Sequence, residues 1–104
     1  MTTERRRAPR QPLIASAEVI DLQTNTRLKV RTSDMSLVGC YLDMTNPLPV
    51  GTEVKVEILH NDAAFTALGV IVNCVQNMGM GIRFTDVQLD QHQILEGWLA
   101  ALVR

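Results

Sequence analysis

The sequence is poor in aromatic residues: two phenylalanines, one tyrosine and one tryptophan in 104 residues. So few rings cannot supply the stacking platform on which single-stranded nucleic acid is usually held. Cysteine is scarce too. Cys40 and Cys74 stand far apart and make neither a metal motif nor a disulfide framework. Both are expected to fill strand positions as small hydrophobes, and a reduced, cytoplasmic setting is the simplest one. His60 and His92 have no second ligand at metal spacing. No apolar run approaches the ~18–20 residues that cross a bilayer, so no membrane span is expected. The opening MTTERRRAPRQP has no apolar stretch behind its arginines, unlike a secretory signal. Neither a Ser-His-Asp, a Cys-His nor a paired-carboxylate arrangement can be assembled, so neither an enzyme nor a cofactor is expected.

What is present is an ordinary globular composition, 46% hydrophobic and 20% charged, enough for one compact domain. The net charge of −1 hides an asymmetry. Residues 1–12 carry Arg5, Arg6, Arg7 and Arg10 against Glu4, a net of +3. The remainder carries six Lys/Arg against ten Asp/Glu, a net of −4. The basic residues of this arm are all arginine, whose planar fork grips phosphates and stacks on bases as lysine cannot. The plainer alternative is a solvated terminus that only adds solubility.

The body, residues 13–104, reads as strands. Glu53 to Ile58 alternates strictly, with Val54, Val56 and Ile58 on one face. Arg27 to Thr32 does the same with Leu28 and Val30 inward. Leu13–Ile20, Gly39–Asp43, Phe65–Val75 and Met80–Phe84 complete a set of six. In the long Phe65–Val75 run, Leu68, Val70, Val72 and Cys74 share a face. Turn signals separate the runs at Thr24-Asn25, Pro47 to Gly51, Asn61-Asp62 and Gln76-Asn77. Six short strands at this spacing predict a small all-β antiparallel barrel, since closure removes exposed edges. The period then changes: Ile94, Leu95, Trp98, Leu99 and Leu102 predict a C-terminal helix packed on the barrel. Asp90 and Gln93 look like the two ends of a capping box opening it.

Two short stretches carry the chemistry. Pro9 and Pro12 hold the first, Arg6-Arg7-Ala8-Pro9-Arg10, extended. The second, Asp34-Met-Ser36-Leu-Val-Gly39, lies where the second strand meets the third. In an extended segment Asp34 and Ser36 point to one side, and Gly39 lets a ligand or a backbone come close. Taken alone, this second pattern is also a common turn.

Together these stretches resemble the paired R-R-x-x-R and [D/N]-x-S-x-x-G motifs of the PilZ domain family, in that family's order. The Pro49-Val-Gly51 loop and the Gly79-Met-Gly81-Ile-Arg-Phe84 strand are similar to it as well. The resemblance implies a six-stranded barrel with a C-terminal helix, and binding of the bacterial second messenger cyclic di-GMP. It assigns the ligand to Arg6, Arg7, Arg10, Asp34, Ser36 and Gly39. The preceding Arg5 suits a second, intercalated nucleotide, giving two per chain. The chemistry agrees: arginines answer two phosphates and the O6/N7 edges of two guanines, and a carboxylate accepts guanine N–H donors. With little room for an output domain, the expectation is signalling to a separate effector protein through an arm that is disordered when free and ordered when bound. Two other readings stay open: a small-barrel nucleic-acid-binding protein, and a PilZ-like interaction module of pilus or motility assembly that binds no nucleotide.

Overall fold

Seven strands and one helix make up the computed structural model, which describes residues 9–102. In chain order they are β1 (Gln11–Pro12), β2 (Ser16–Asp21), β3 (Arg27–Met35), β4 (Gly39–Asp43), β5 (Glu53–His60), β6 (Ala63–Val75), β7 (Gly79–Asp86) and α1 (Leu89–Leu102). Every pairing is antiparallel. The sheet runs β3-β2-β5-β6-β7-β4, and β4 pairs back onto β3. Six strands therefore close into a barrel, as the sequence pattern predicts, and β1 adds a short seventh on β3.

The turns form where the sequence marks them. Asn25, Asn61, Asp62 and Asn77 all take positive φ, which Asn and Asp tolerate better than other side chains. Alternation then builds the core. Val54, Val56 and Ile58 are fully buried, and Val19, Leu42, Phe65, Ile71 and Met80 meet them inside the barrel. Burying each such side chain contributes about 1.5–3 kcal/mol.

The long strand β6 turns its faces the other way from the apolar run in the sequence. Phe65, Ala67 and Ile71 point inward, while Leu68, Val72 and Cys74 are exposed. Both faces of this segment are apolar, so periodicity alone could not choose. The aromatic residue decides, because Phe65 gains most from burial. Cys40 is a buried core residue as expected, but Cys74 is not.

Helix α1 packs Leu95, Trp98 and Leu99 against the barrel. The Trp98 ring meets Phe65 at 6.3 Å and His60 edge-on at 5.2 Å. The capping box does not form. The helix starts at Leu89, which puts Asp90 inside its first turn, and the His92 N–H donates to the Gln88 carbonyl. Gln91 is used differently: its Oε1 accepts the Thr66 N–H at 2.7 Å and ties α1 to β6.

Candidate ligand site at the junction of β1, β3 and β4

β3 sets the geometry of the site through a bulge. Its first part alternates, with Val30 turned towards the core and Thr32 fully buried. Continued strictly, that alternation would drive Asp34 into the core. Instead the register against β4 shifts between Thr32 and Asp34. The extra residue, Ser33, reverses the parity. Met35 then fills the core at 0% exposure, and Asp34 moves to the outer face opposite Tyr41.

Thr32 anchors the chain that enters the barrel. Its hydroxyl accepts the Ala15 N–H at 3.0 Å and donates to the Leu13 carbonyl. Its own N–H donates to the Ala15 carbonyl, and the Leu13 N–H donates to the Ser33 carbonyl. This satisfies the backbone N–H and carbonyl groups of Leu13 and Ala15, in the segment between β1 and β2. Upstream, Gln11 pairs with Met35 and Pro12 with Asp34. The barrel's pairing thus begins before residue 13, and the arm enters beside Asp34. The sequence reading missed Thr32, although a lone threonine at an inward strand position was the available signal.

Of the predicted site residues, Arg10 and Asp34 are brought together, with Nε 3.7 Å from Oδ1. That is an ion pair rather than a hydrogen bond. Arg10 is largely exposed, and Asp34 is partly sheltered. Asp34 Oδ1 is itself buried and has no hydrogen-bond partner among the described residues. Such an acceptor is costly to leave unpaired. Beneath it, the Cys40 thiol is pushed up to about 12 by burial and, secondarily, by the Asp34 charge. Arg5, Arg6 and Arg7 lie outside the described residues.

Ser36 and Gly39 belong to the turn between β3 and β4. The Ser36 hydroxyl accepts the Val38 N–H at 3.2 Å and faces the Gly39 carbonyl at 3.4 Å, while its N–H donates to that carbonyl at 2.9 Å. Ser36 is buried, so its hydroxyl serves the turn first. At Gly39 the close approach is made by backbone: a Cβ there would stand 2.2 Å from the Ile82 carbonyl oxygen of β7.

The outer face beside Asp34 continues across β4 and β7. Tyr41 pairs with Gly81, and Gly39 pairs with Arg83. The Tyr41 ring lies over the β7 glycines; a Cβ on Gly79 would meet its Cε2 at 2.8 Å. Arg31 pairs with Asp43 at 3.6 Å on the far side of Tyr41. The described residues contain no cluster of His, Cys, Asp or Glu able to hold a metal, and no helix long and apolar enough to cross a membrane.

Residues 4–101 match the family model of the PilZ domain. The chain belongs to the PilZ family. Its fold is similar to the PilZ domain of CeSA from a cellulose-synthesising bacterium, at 20% identity and a TM-score of 0.72, covering 92% of this chain and 99% of that one. It is also similar to the PilZ domain of YcgR from Escherichia coli, solved with c-di-GMP, at 18% identity and a TM-score of 0.74, covering 95% and 92%. A third likeness is to the Bacillus subtilis inhibitor of motility MotI/DgrA, at 12% identity and a TM-score of 0.74. There the match covers 95% of this PilZ domain but only 51% of the other chain. No curated protein matches the chain in sequence.

Proposed function

We propose that this PilZ domain is a receptor for cyclic di-GMP, held between the arm (Arg5, Arg6, Arg7, Arg10) and the Asp34-Ser36-Gly39 turn. The observation that carries the reading is Asp34 Oδ1, a sheltered acceptor without a hydrogen-bond donor among the described residues, with Arg10 beside it. A guanine Watson–Crick edge offers N–H donors to such a carboxylate. The arginines grip phosphates and the O6/N7 edge by charge-assisted, bidentate bonds. Ser36 and Gly39 act by holding the turn in shape. Family membership and the YcgR domain solved with c-di-GMP add support.

Two nucleotides per chain bind, the second against Arg5, and the arm becomes ordered over the ligand. The combined surface of arm, nucleotide and barrel is what an effector protein reads. Titration calorimetry with cyclic di-GMP, cyclic di-AMP and GMP tests the core claim. Binding of cyclic di-GMP alone, at two per chain, is the expected result. A chain indifferent to cyclic di-GMP overturns the reading, and a stoichiometry of one overturns the role of Arg5.

A further inference from the structure

We propose that Arg83 is a further specificity-determining residue, one that reads a guanine edge of the ligand from the β7 side of the site. This rests on the cyclic di-GMP reading above.

Four arginines are described, and three of them face a carboxylate within 4 Å. Arg10 pairs with Asp34, Arg27 with Glu18 and Arg31 with Asp43. Arg83 alone has no such partner among the described residues, and it is exposed. Its place is fixed by register. Arg83 pairs with Gly39, two residues along β4 from Tyr41, which pairs with Asp34. All four residues therefore share the outer face. Two strand spacings and a two-residue step separate Asp34 from Arg83 by about 12 Å between Cα atoms. A cyclic dinucleotide has two chemically equivalent ends, so a ligand seated at Asp34 through one base presents its far side towards Arg83.

The surroundings favour a base over a phosphate there. Between the two residues lie Gly39 and Gly81, which have no side chains, and the Tyr41 ring. Val70 pairs with Arg83 from the other side, on β6. This is a low, mostly apolar floor flanked by one forked donor. Such a floor suits the face of a purine, and the fork suits O6 and N7 of guanine. Adenine would present its N6 amino donor to the same fork and be repelled. The arginine-rich arm already answers the phosphates, whereas the described barrel offers no other unpaired arginine to this face.

The test compares the full chain with Arg83→Ala and Arg83→Met, the latter keeping the aliphatic bulk. Titration calorimetry with cyclic di-GMP and cyclic di-AMP at two salt concentrations gives the readout, with thermal melts to show that both variants fold. The expected result is a loss of about ten- to a hundredfold in cyclic di-GMP affinity in both variants. Cyclic di-AMP, which the parent does not bind, should stay unbound, and the salt dependence of cyclic di-GMP binding should stay as in the parent. An unchanged affinity for cyclic di-GMP overturns the proposal. So does a loss accompanied by a shallower salt dependence of cyclic di-GMP binding, which marks a phosphate contact. A parent chain that ignores cyclic di-GMP refutes the underlying reading instead, and the two failures are distinct.

Discussion

The Arg10 guanidinium stands 3.7 Å from Asp34, close enough for attraction and too far for a hydrogen bond. The arrangement is half-made: the charges are neighbours, yet Asp34 Oδ1 has no hydrogen bond among the described residues. Function and stability should therefore respond oppositely at this position. Asp34→Ala removes a sheltered, unpaired acceptor, so stability should hold or rise by up to ~1 kcal/mol. Affinity for cyclic di-GMP should fall by about ten- to a hundredfold, the weight of hydrogen bonds to a charged group. Chemical denaturation and calorimetry on the same preparation check both signs.

Arg10→Ala should cost little in the free protein, because an exposed ion pair contributes about 0–1 kcal/mol. Its effect should appear on ligand addition, as a loss of affinity that shrinks when salt is raised in the parent as well. An equal loss of melting temperature without ligand would mean that Arg10 serves the fold.

Thr32→Val keeps the shape and removes the hydroxyl. It strands the Ala15 N–H and leaves the Leu13 carbonyl without its donor. The expected cost is ~1–3 kcal/mol in denaturant titration. Because residues 13–15 follow β1 directly and hold it in place, binding should weaken as well, although Thr32 is buried and cannot touch a ligand.

Gly39→Ala should destabilise the free protein by ~1–3 kcal/mol or more, since its Cβ would overlap the Ile82 carbonyl. Melting curves without nucleotide separate this from a ligand clash. A variant as stable as the parent but unable to bind would place the glycine's role in the site instead.

The two thiols should differ in reactivity. Cys74 is exposed and should alkylate in the folded protein, whereas Cys40 is buried and held protonated. The Cys40 thiol is raised from 9.0 to about 12, so the folded state disfavours its thiolate. That contribution to stability is complete below pH 9 and declines as the pH rises from about 9 to 12. Mass spectrometry after a short iodoacetamide pulse, with and without denaturant, checks the first claim. Denaturation at pH 8 and pH 10.5, comparing the parent with Cys40→Ala, checks the second.

Much of this was legible in the residues. β4 spans Gly39–Asp43 as read, and strict alternation over residues 53–58 located β5, because only one face of that stretch is apolar. The turn positions followed from Asn and Asp, the residues that tolerate positive φ. β6 was legible as a strand but not in its orientation, since both faces carry apolar side chains. The site was legible as two motifs whose meeting had to be inferred. What brings Arg10, the end of the first motif, beside Asp34 is the pairing of Pro12 with Asp34 and the bulge at Ser33. Neither leaves a local signal: a two-residue bridge is too short to show a period, and a bulge reverses a period without changing composition. The roles of Ser36 and Gly39 were underspecified for a related reason. A serine and a glycine in a turn suit a ligand and a backbone equally well, and the Ile82 carbonyl decides for backbone at Gly39.

Tyr41 lies over the glycines of β7, beside Asp34, and it is the sole tyrosine of the chain. Trp98 is the sole tryptophan and sits under α1 against Phe65. The molecule thus carries two distinguishable chromophores, one on the outer face beside Asp34 and one at the docked helix. Tyrosine ultraviolet difference spectra report the first region and tryptophan emission the second. Without any attached label, the order in which these two regions respond to a nucleotide or a denaturant can be read from a single unmodified sample.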